Sequence, residues 1–434
     1  MSFEKLPPEL FAVTFSVDGA GGTLKAKADG VAETETSPIT VEHGKTVTLT
    51  AAPAAGYKVK EWKLGGNAVN GTNMSYTHTI TQAINVTVSF EPKKALLTLA
   101  AGKNTVKVKA KTADGSAIKV EGCTVTELAN DTETTLTVTA PDRKLTLIGD
   151  IIELNCSGEE TPGGNRPLIA LNVSGCTALQ KLDCAKNQLT ALNVQGLTKL
   201  QKLDCDSNQL TTLNVQGLTA LQELICYSNG ELSTLDVQGC TALQQLNCRN
   251  NKITSLNVQD LTELQELDCQ TNKLTSLNVQ GLTKLQKLDC SGNQLSTLNV
   301  QGLTALQKLY CENNQLTTLD VSGLTALQKL YCNGNQNHRY LSELNVQGCT
   351  ALKELLCYYN KLNADAFIKI FNGLPTREAS DGAKAILYVD RAGVTEENCT
   401  NFTTPESLKK AFEGAKAKHW RLQKAGHFGF GIDI

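Results

Sequence analysis

The stretch Leu200-Gln-Lys-Leu203-Asp-Cys205-Asp-Ser-Asn208-Gln-Leu210 returns with small changes along the middle of this 434-residue chain. Its cysteine recurs at intervals of 21, 21, 22, 21, 21, 21, 21 and 25 residues, and an asparagine follows three residues later each time. A fixed period of this length is typical of a solenoid, in which each repeat packs against the next. We therefore expect two structural ladders, formed by Cys184, Cys205, Cys226, Cys248, Cys269, Cys290, Cys311, Cys332 and Cys357 and by Asn187, Asn208, Asn229, Asn251, Asn272, Asn293, Asn314, Asn335 and Asn360.

The alternation within each copy predicts a short strand. Leu203 and Cys205 are separated by a polar residue, so both lie on one face of a strand and that face is buried. Identical strands stacked one repeat apart form a parallel sheet, in which a small apolar cysteine suits the interior. The asparagines fall where the chain turns, and their amide groups can donate to and accept from buried backbone groups.

The second half of each copy, such as residues 210–215, holds β-branched residues. It predicts a second short strand or extended segment on the convex side, not an α-helix. An earlier, degenerate copy begins at Leu154 and is interrupted by the Gly/Pro-rich residues 157–167, so residues 150–363 hold about ten repeats.

Composition and charge exclude several classes of function. A net charge of -2, from 41 basic and 43 acidic residues, gives no reason to expect nucleic acid as a partner. No apolar run is long enough to span a bilayer, so we expect no transmembrane segment. The motifs G-x-S-x-G, P-loop, H-E-x-x-H and C-x-x-C are missing, and the five histidines are scattered. We therefore expect no enzyme activity, no cofactor and no metal site.

The cysteines are expected to be reduced and buried. Neighbouring ladder cysteines lie one strand spacing apart, about 4.8 Å. Parallel side chains in register do not offer the roughly 90° dihedral angle that a disulfide needs.

The pattern L-x-x-L-x-[LC]-x-x-N-x-L resembles the leucine-rich repeat, in the short cysteine-bearing form called IRREKO. Such repeats are frequent in surface proteins of Bacteroides-type bacteria. The resemblance covers residues 150–363 and implies a mainly β chain with a curved, right-handed solenoid. It also implies that the concave parallel sheet of this solenoid binds other proteins.

Residues 11–92 differ from the repeats, with Thr- and Val-rich alternation and Gly/Asn turns. The run from Gly44 through Pro53, Gly56 and Tyr57 to Trp62 resembles the divergent internalin B-repeat, a small β-grasp-type domain found on bacterial surface proteins. Residues 1–10, which precede it, are expected to be a disordered leader.

Two further segments flank the repeats. Residues 93–149 alternate again and predict a small β unit that caps the open end of the solenoid, as a repeat array requires. Residues 364–434 predict an α/β C-terminal cap. Its expected elements are helices over 364–374 and 406–418, a strand over 385–389 and an apolar tail over 428–434.

Residues beside the ladder leucine and cysteine, before, between and after them, are expected to point to the concave solvent face. Five of the nine tyrosines fall there or directly after. Exposed aromatic and aliphatic side chains on a rigid sheet favour protein recognition, although the tyrosines could instead stack to stabilise adjacent repeats. The candidate ligand-binding residues are Tyr310, Tyr331, Leu356, Tyr358, Tyr359, Tyr227, Ile225 and Arg249.

These observations predict a non-enzymatic binding module of a secreted or cell-surface anchored protein, acting in adhesion or in recognition of a host or partner protein. A glycan-binding surface protein is the alternative, because aromatic platforms would also serve it. A third interpretation is a cytosolic scaffold, since the first residues lack the basic and apolar regions of a signal peptide. A targeting segment outside this sequence would agree with the first two.

Overall fold

A computed structural model describes residues 7–54, 56–159, 163–335, 340–390, 396–426 and 431–434. The chain divides into two compact units. The first comprises residues 1–99, 104–154 and 171–179, and the second comprises residues 100–103, 155–170 and 180–434. Most of the expected leader, residues 1–6, lies outside the described residues. In the described part of the chain, no helix has both the length and the apolar character needed to cross a membrane.

The first unit begins with two sheets that share one core. Their strands are β1 (Leu10–Asp18), β2 (Gly22–Ala28), β3 (Val31–Thr34), β4 (Ile39–Glu42), β5 (Thr46–Pro53), β6 (Tyr57–Leu64), β7 (Asn67–Val69), β8 (Ser75–Thr79) and β9 (Ile84–Pro92). The sheet orders are β4-β1-β9-β6-β7, with β1 parallel to β9, and β3-β2-β5-β8. Alternating side chains of both sheets, among them Val13, Leu49, Trp62 and Val88, enter the core. The sequence predicted a β-grasp-type domain, but the described residues of 7–92 contain no helix, and a second sheet covers the first.

A second group of strands follows in the same unit. Its members are β10 (Lys94–Leu99), β11 (Thr105–Thr112), β12 (Ile118–Glu121), β13 (Glu127–Leu128), β14 (Thr134–Thr137) and β15 (Lys144–Ile148). β15 pairs antiparallel with β10 and β12, and β11 pairs antiparallel with β14. Leu97, Val108, Leu136 and Leu147 are fully buried, which is the pattern expected of a small β unit. Its role as a cap of the solenoid stays a prediction.

The repeats form a ladder of three-residue strands. The strands from this region are β16 (Ile151–Asn155), β17 (Leu168–Asn172), β18 (Lys181–Asp183), β19 (Lys202–Asp204), β20 (Thr212–Asn214), β21 (Glu223–Ile225), β22 (Thr234–Asp236), β23 (Gln245–Asn247), β24 (Glu266–Asp268), β25 (Lys287–Asp289), β26 (Lys308–Tyr310), β27 (Thr318–Asp320), β28 (Lys329–Tyr331), β29 (Glu343–Asn345) and β30 (Glu354–Leu356). The order β18-β19-β21-β23-β24-β25-β26-β28-β30 is parallel throughout, and each step pairs one ladder leucine with the next. Residues 180–363 therefore form a leucine-rich repeat solenoid, as the sequence predicts for the longer range 150–363.

The opposite side of the repeats contains no α-helix in the described part of residues 180–363. β20 pairs with β22 and β27 pairs with β29, both in parallel, and the other repeats are extended or turning there. Turns then lead the chain back to the next strand, as where Leu218 N–H donates to the Val215 carbonyl at 3.2 Å and Leu221 N–H donates to the Leu218 carbonyl at 3.0 Å. The prediction of short strands or extended segments is confirmed.

The C-terminal cap continues the sheet of the repeats. It contains α1 (Ala364–Gly373), β31 (Lys384–Val389), α2 (Glu406–Ala417), β32 (Arg421–Ala425) and β33 (Gly431–Asp433). β31 lies parallel beside β30, and β32 lies parallel beside β31. Both predicted helices and the predicted strand are confirmed within one residue. Residues 428–430 of the expected apolar tail lie outside the described residues.

Candidate binding surface

The cysteine ladder is buried and reduced. All fifteen cysteines are free; thirteen are buried, and Cys123 and Cys399 are half-buried. Each ladder cysteine donates its backbone N–H to the next strand, as Cys205 does to the Ile225 carbonyl at 2.9 Å. Burial raises the pKa of these thiols, for Cys248 to about 12, so they stay protonated and unreactive at neutral pH. The ladder is scaffold.

The asparagine ladder joins successive repeats. The Asn208 side-chain amide donates to the Cys184 carbonyl of the preceding repeat at 3.0 Å and to the Cys205 carbonyl of its own repeat at 3.2 Å. Its Oδ1 accepts from Leu189 N–H at 3.0 Å. This use of both amide functions confirms the predicted role of the asparagines.

The concave face differs from the prediction in one column of residues. The residues between the ladder leucine and cysteine are half-buried, so they keep contact with solvent. Those directly after the cysteine were expected to do the same, but Ala185, Asp206, Ser291 and Asn333 are buried. They come where the strand has ended and the chain turns inward, so the alternation of a strand no longer applies.

Tyr310 and Tyr331 are neighbours on adjacent strands, paired in register. Their ring centroids lie 4.9 Å apart with an angle of 63° between the planes, which is an edge-to-face contact. Both side chains are half-buried. Burial raises the pKa of Tyr331, and a hydrogen bond to Glu354 raises it further, so its hydroxyl stays protonated.

Glu354 holds this end of the face in place. Its carboxylate pairs with Lys329 at 2.9 Å and with Lys384 at 2.8 Å. Burial opposes ionisation of Glu354, but the hydrogen bonds from Lys384, Lys329 and Tyr331 outweigh it and lower the pKa. The tyrosine pair therefore sits beside a satisfied, fixed carboxylate.

Leu356, Tyr358 and Tyr359 lie where the repeats meet the cap. All three pack against the small cluster of Ile386, Val389 and Ala425 in β31 and β32. The rings of Tyr358 and Tyr359 are 5.3 Å apart and edge-to-face. Part of the surface of these three side chains therefore stabilises the cap, and the remaining half-buried part continues the face that Tyr310 and Tyr331 begin.

Tyr227, Ile225 and Arg249 form a separate group. The Arg249 guanidinium carbon lies 4.7 Å from the centroid of the Tyr227 ring, a cation–π contact between adjacent repeats. Four strand steps separate this group from Tyr310, which is roughly 19 Å at the usual spacing. The structure thus places the candidate residues in two patches along one face.

Sequence reasoning missed two residues. Asn398 in the cap acts as a further ladder asparagine, because its amide donates to the Cys357 carbonyl at 2.9 Å and its Oδ1 accepts from Leu362 N–H at 2.8 Å. It stands outside the period, so no spacing reveals it. Glu312 follows Cys311 on the concave side, and its Oε2 is buried without a hydrogen-bond partner. In the described part of the chain, no three His, Cys, Asp or Glu side chains are grouped to hold a metal ion.

Comparison with known proteins agrees with this architecture. Residues 22–94 match the family model of the divergent InlB B-repeat domain, and residues 284–306 match that of the leucine-rich repeat. The chain therefore carries a divergent InlB B-repeat domain followed by leucine-rich repeats. No curated protein matches the sequence.

Several solved structures are similar over part of the chain. The functional domain of InlJ from Listeria monocytogenes, described as including a cysteine ladder, is 32% identical over 51% of this chain and 56% of its own, with a TM-score of 0.41. A leucine-rich repeat protein from Leptospira interrogans is 24% identical over 47% of this chain and 61% of its own, with a TM-score of 0.39. This chain thus spans less than two thirds of the length of either.

Proposed function

We propose that this chain is a non-enzymatic protein-recognition module of a secreted or cell-surface protein, and that it holds a partner protein on its concave face at Tyr310 and Tyr331. The observation that carries the proposal is this pair of half-buried rings, fixed in register on adjacent strands. Because the strands hold both rings in place, little conformational entropy is lost when a partner binds. Aromatic side chains in such positions dominate many protein interfaces.

The geometry of the pair favours a protein over a glycan. A sugar ring stacks best on a flat aromatic face, whereas the 63° angle between Tyr310 and Tyr331 gives an edge and a face instead. The match to a divergent InlB B-repeat domain supports a location outside the cell. A secretion signal upstream in the native gene would agree with that location, and a gene without one would favour the cytosolic scaffold.

The test is the double substitution Tyr310→Ala and Tyr331→Ala, probed on protein and glycan arrays beside the wild type. We expect binding to protein spots to weaken by about tenfold or more, as for loss of an interface centre. The melting temperature should fall by only a few degrees, because an edge-to-face pair is worth about 1 kcal/mol.

Tyr331→Phe is the control, because it keeps the ring and removes only the hydrogen bond to Glu354. If the double variant loses melting temperature steeply while array binding stays intact, the tyrosines are scaffold. Binding confined to glycan spots would support the alternative function.

A further inference from the structure

Glu312 is the unusual carboxylate of the concave face. It lies two residues beyond Tyr310 on the same stretch of chain, and its side chain as a whole is half-buried. One carboxylate oxygen, Oε2, is buried and has no hydrogen-bond partner. No lysine or arginine in the described part of the chain comes within ion-pair distance of it.

The contrast with Glu354 shows what Glu312 lacks. Glu354 lies on the same face and is held by two lysines at 2.8 and 2.9 Å. Burial raises the pKa of Glu312 to about 7, and the nearby charge of Asp289 adds to this. A cation brought to the solvent side of the Glu312 carboxylate stabilises its ionised form, and so offsets part of the cost of burying the charge.

The surroundings of Glu312 suit an organic cation rather than a metal ion. Three tyrosines lie close enough to Glu312 for its charge to affect them. Burial raises the pKa of the hydroxyl groups of Tyr310, Tyr331 and Tyr358, and the negative charge of Glu312 adds a smaller increase. Tyrosine rings attract ammonium and guanidinium groups and can pack against their aliphatic stems. A hard metal ion would need several more oxygen ligands than one carboxylate supplies.

We infer that Glu312, together with the rings of Tyr310, Tyr331 and Tyr358, forms a subsite for a lysine or arginine side chain presented by the partner protein. The inference rests on the proposed function and adds the chemistry of the partner. The basic group pairs with the open side of the Glu312 carboxylate, and its stem lies on the tyrosine rings. The negative charge of Asp289 on the neighbouring strand favours the same sign of ligand.

The test uses the full chain and a displayed library of random peptides. Peptides are selected on the wild type, and those that the Tyr310→Ala/Tyr331→Ala variant also binds are removed. We expect the remaining peptides to share a lysine or arginine. Replacing that residue by norleucine or citrulline should weaken binding to the wild type by about tenfold or more.

Replacing the basic residue of the peptide should have little effect on binding to Glu312→Gln, because this variant lacks the negative charge with which the basic residue pairs. Glu312→Asp keeps the charge and should retain part of the preference, which guards against misfolding of the glutamine variant. Glu266→Gln is the matched control, an exposed carboxylate of the same face two strands earlier. It should bind the peptides as the wild type does.

Two results would overturn the inference in different ways. The first is a set of tyrosine-dependent peptides that carry no basic residue, or a loss of affinity on removal of the peptide's charge that is as large for Glu312→Gln as for the wild type. Either outcome refutes the cation subsite and leaves the proposed function standing. A library that yields no tyrosine-dependent peptide refutes both.

Discussion

A single ladder asparagine connects four backbone groups of two repeats. The Asn208 amide reaches the carbonyls of Cys184, Cys205 and Asp206, and its Oδ1 accepts from Leu189 N–H. These groups lie in a dry interior, where an unsatisfied donor or acceptor costs about 1–3 kcal/mol. The asparagine therefore fixes both the turn of its own repeat and the spacing to the previous one.

Asn208→Ala should lower the free energy of unfolding by about 3 kcal/mol or more, because it leaves several buried groups without partners. Urea denaturation of the two proteins measures the difference. Gln209→Ala, at the exposed next position, should change it by less than about 0.5 kcal/mol. Equal effects of the two substitutions would show that water replaces the asparagine.

Stacked aspartates on the concave face predict a dependence of stability on pH. Asp183 and Asp204 are paired in register, and Asp206 follows two residues on. Burial, and then the charges of Asp206 and Asp183, raises the pKa of Asp204 to about 7, against about 3.9 in an unfolded chain. A raised pKa means that the folded chain prefers the protonated acid. The ionised form therefore destabilises the fold increasingly as pH rises from about 4 to 7.

Asp204→Asn should consequently stabilise the protein at pH 8, by about 1–2 kcal/mol after allowance for partial exposure, and change little at pH 4. Denaturation of both proteins across this range measures the difference. Asp260→Asn, at an exposed position, is the control and should change the free energy of unfolding by less than about 0.5 kcal/mol. A gain from Asp204→Asn that is equal at both pH values would contradict the titration and indicate a packing effect.

At the residue scale, the sequence predicts the role of residues that recur in every repeat, and it misses residues whose surroundings are formed by several repeats together. Cys205 and Asn208 are visible from spacing because each copy needs the same small apolar group and the same amide. Glu312 is not, because burial and the charge of Asp289 in the preceding repeat raise its pKa, and the pattern of a single repeat shows neither. The inward Asp206 was missed for a related reason, since alternation stops predicting side-chain direction where the strand ends.

At the element scale, the helices of the cap are joined by one cation. The Lys418 ammonium group, just after α2, donates to the carbonyls of Phe371, Asn372 and Leu374 at the end of α1, at 2.8–3.1 Å. These carbonyls have no partner within the helix, and the end of a helix carries partial negative charge. The sequence predicts both helices, but not this contact, which spans 44 to 47 residues.

Lys418→Met keeps the aliphatic stem and removes the charge, so it should destabilise the cap by about 2 kcal/mol, as expected for hydrogen bonds from a charged donor. Hydrogen exchange of the α1 amides measures the effect locally. Lys409→Met, on the exposed side of α2, provides the comparison and should leave the exchange unchanged. Unaltered protection of α1 in Lys418→Met would show that water serves these carbonyls as well.

At the scale of the whole molecule, the second unit carries one buried thiol in each concave rung from Cys184 to Cys357. In a solenoid, stability is close to a sum of terms between neighbours, so opening can be local. A thiol reacts only when its own rung opens, and its position in the sequence then identifies the rung. The reactivity of each cysteine thus reports the local stability of its own repeat.

Asn398 stabilises the last repeat against local opening, because its side-chain amide joins backbone groups of Cys357 and Leu362 to the carbonyl of Leu387 in β31. Asn398→Ala should therefore increase alkylation of Cys357, and less strongly of Cys332, in pulses at low denaturant. Loss of these buried bonds, at about 1–3 kcal/mol per unsatisfied group, corresponds to a rise of about tenfold or more in the open population. Mass spectrometry of each cysteine-containing peptide measures it. Asn401→Ala, at an exposed position in the same segment, should leave all the rungs as protected as in the wild type. If Asn398→Ala raised alkylation of Cys205 as much as that of Cys357, the ladder would open as one unit, and nearest-neighbour stability would be the wrong description of this solenoid.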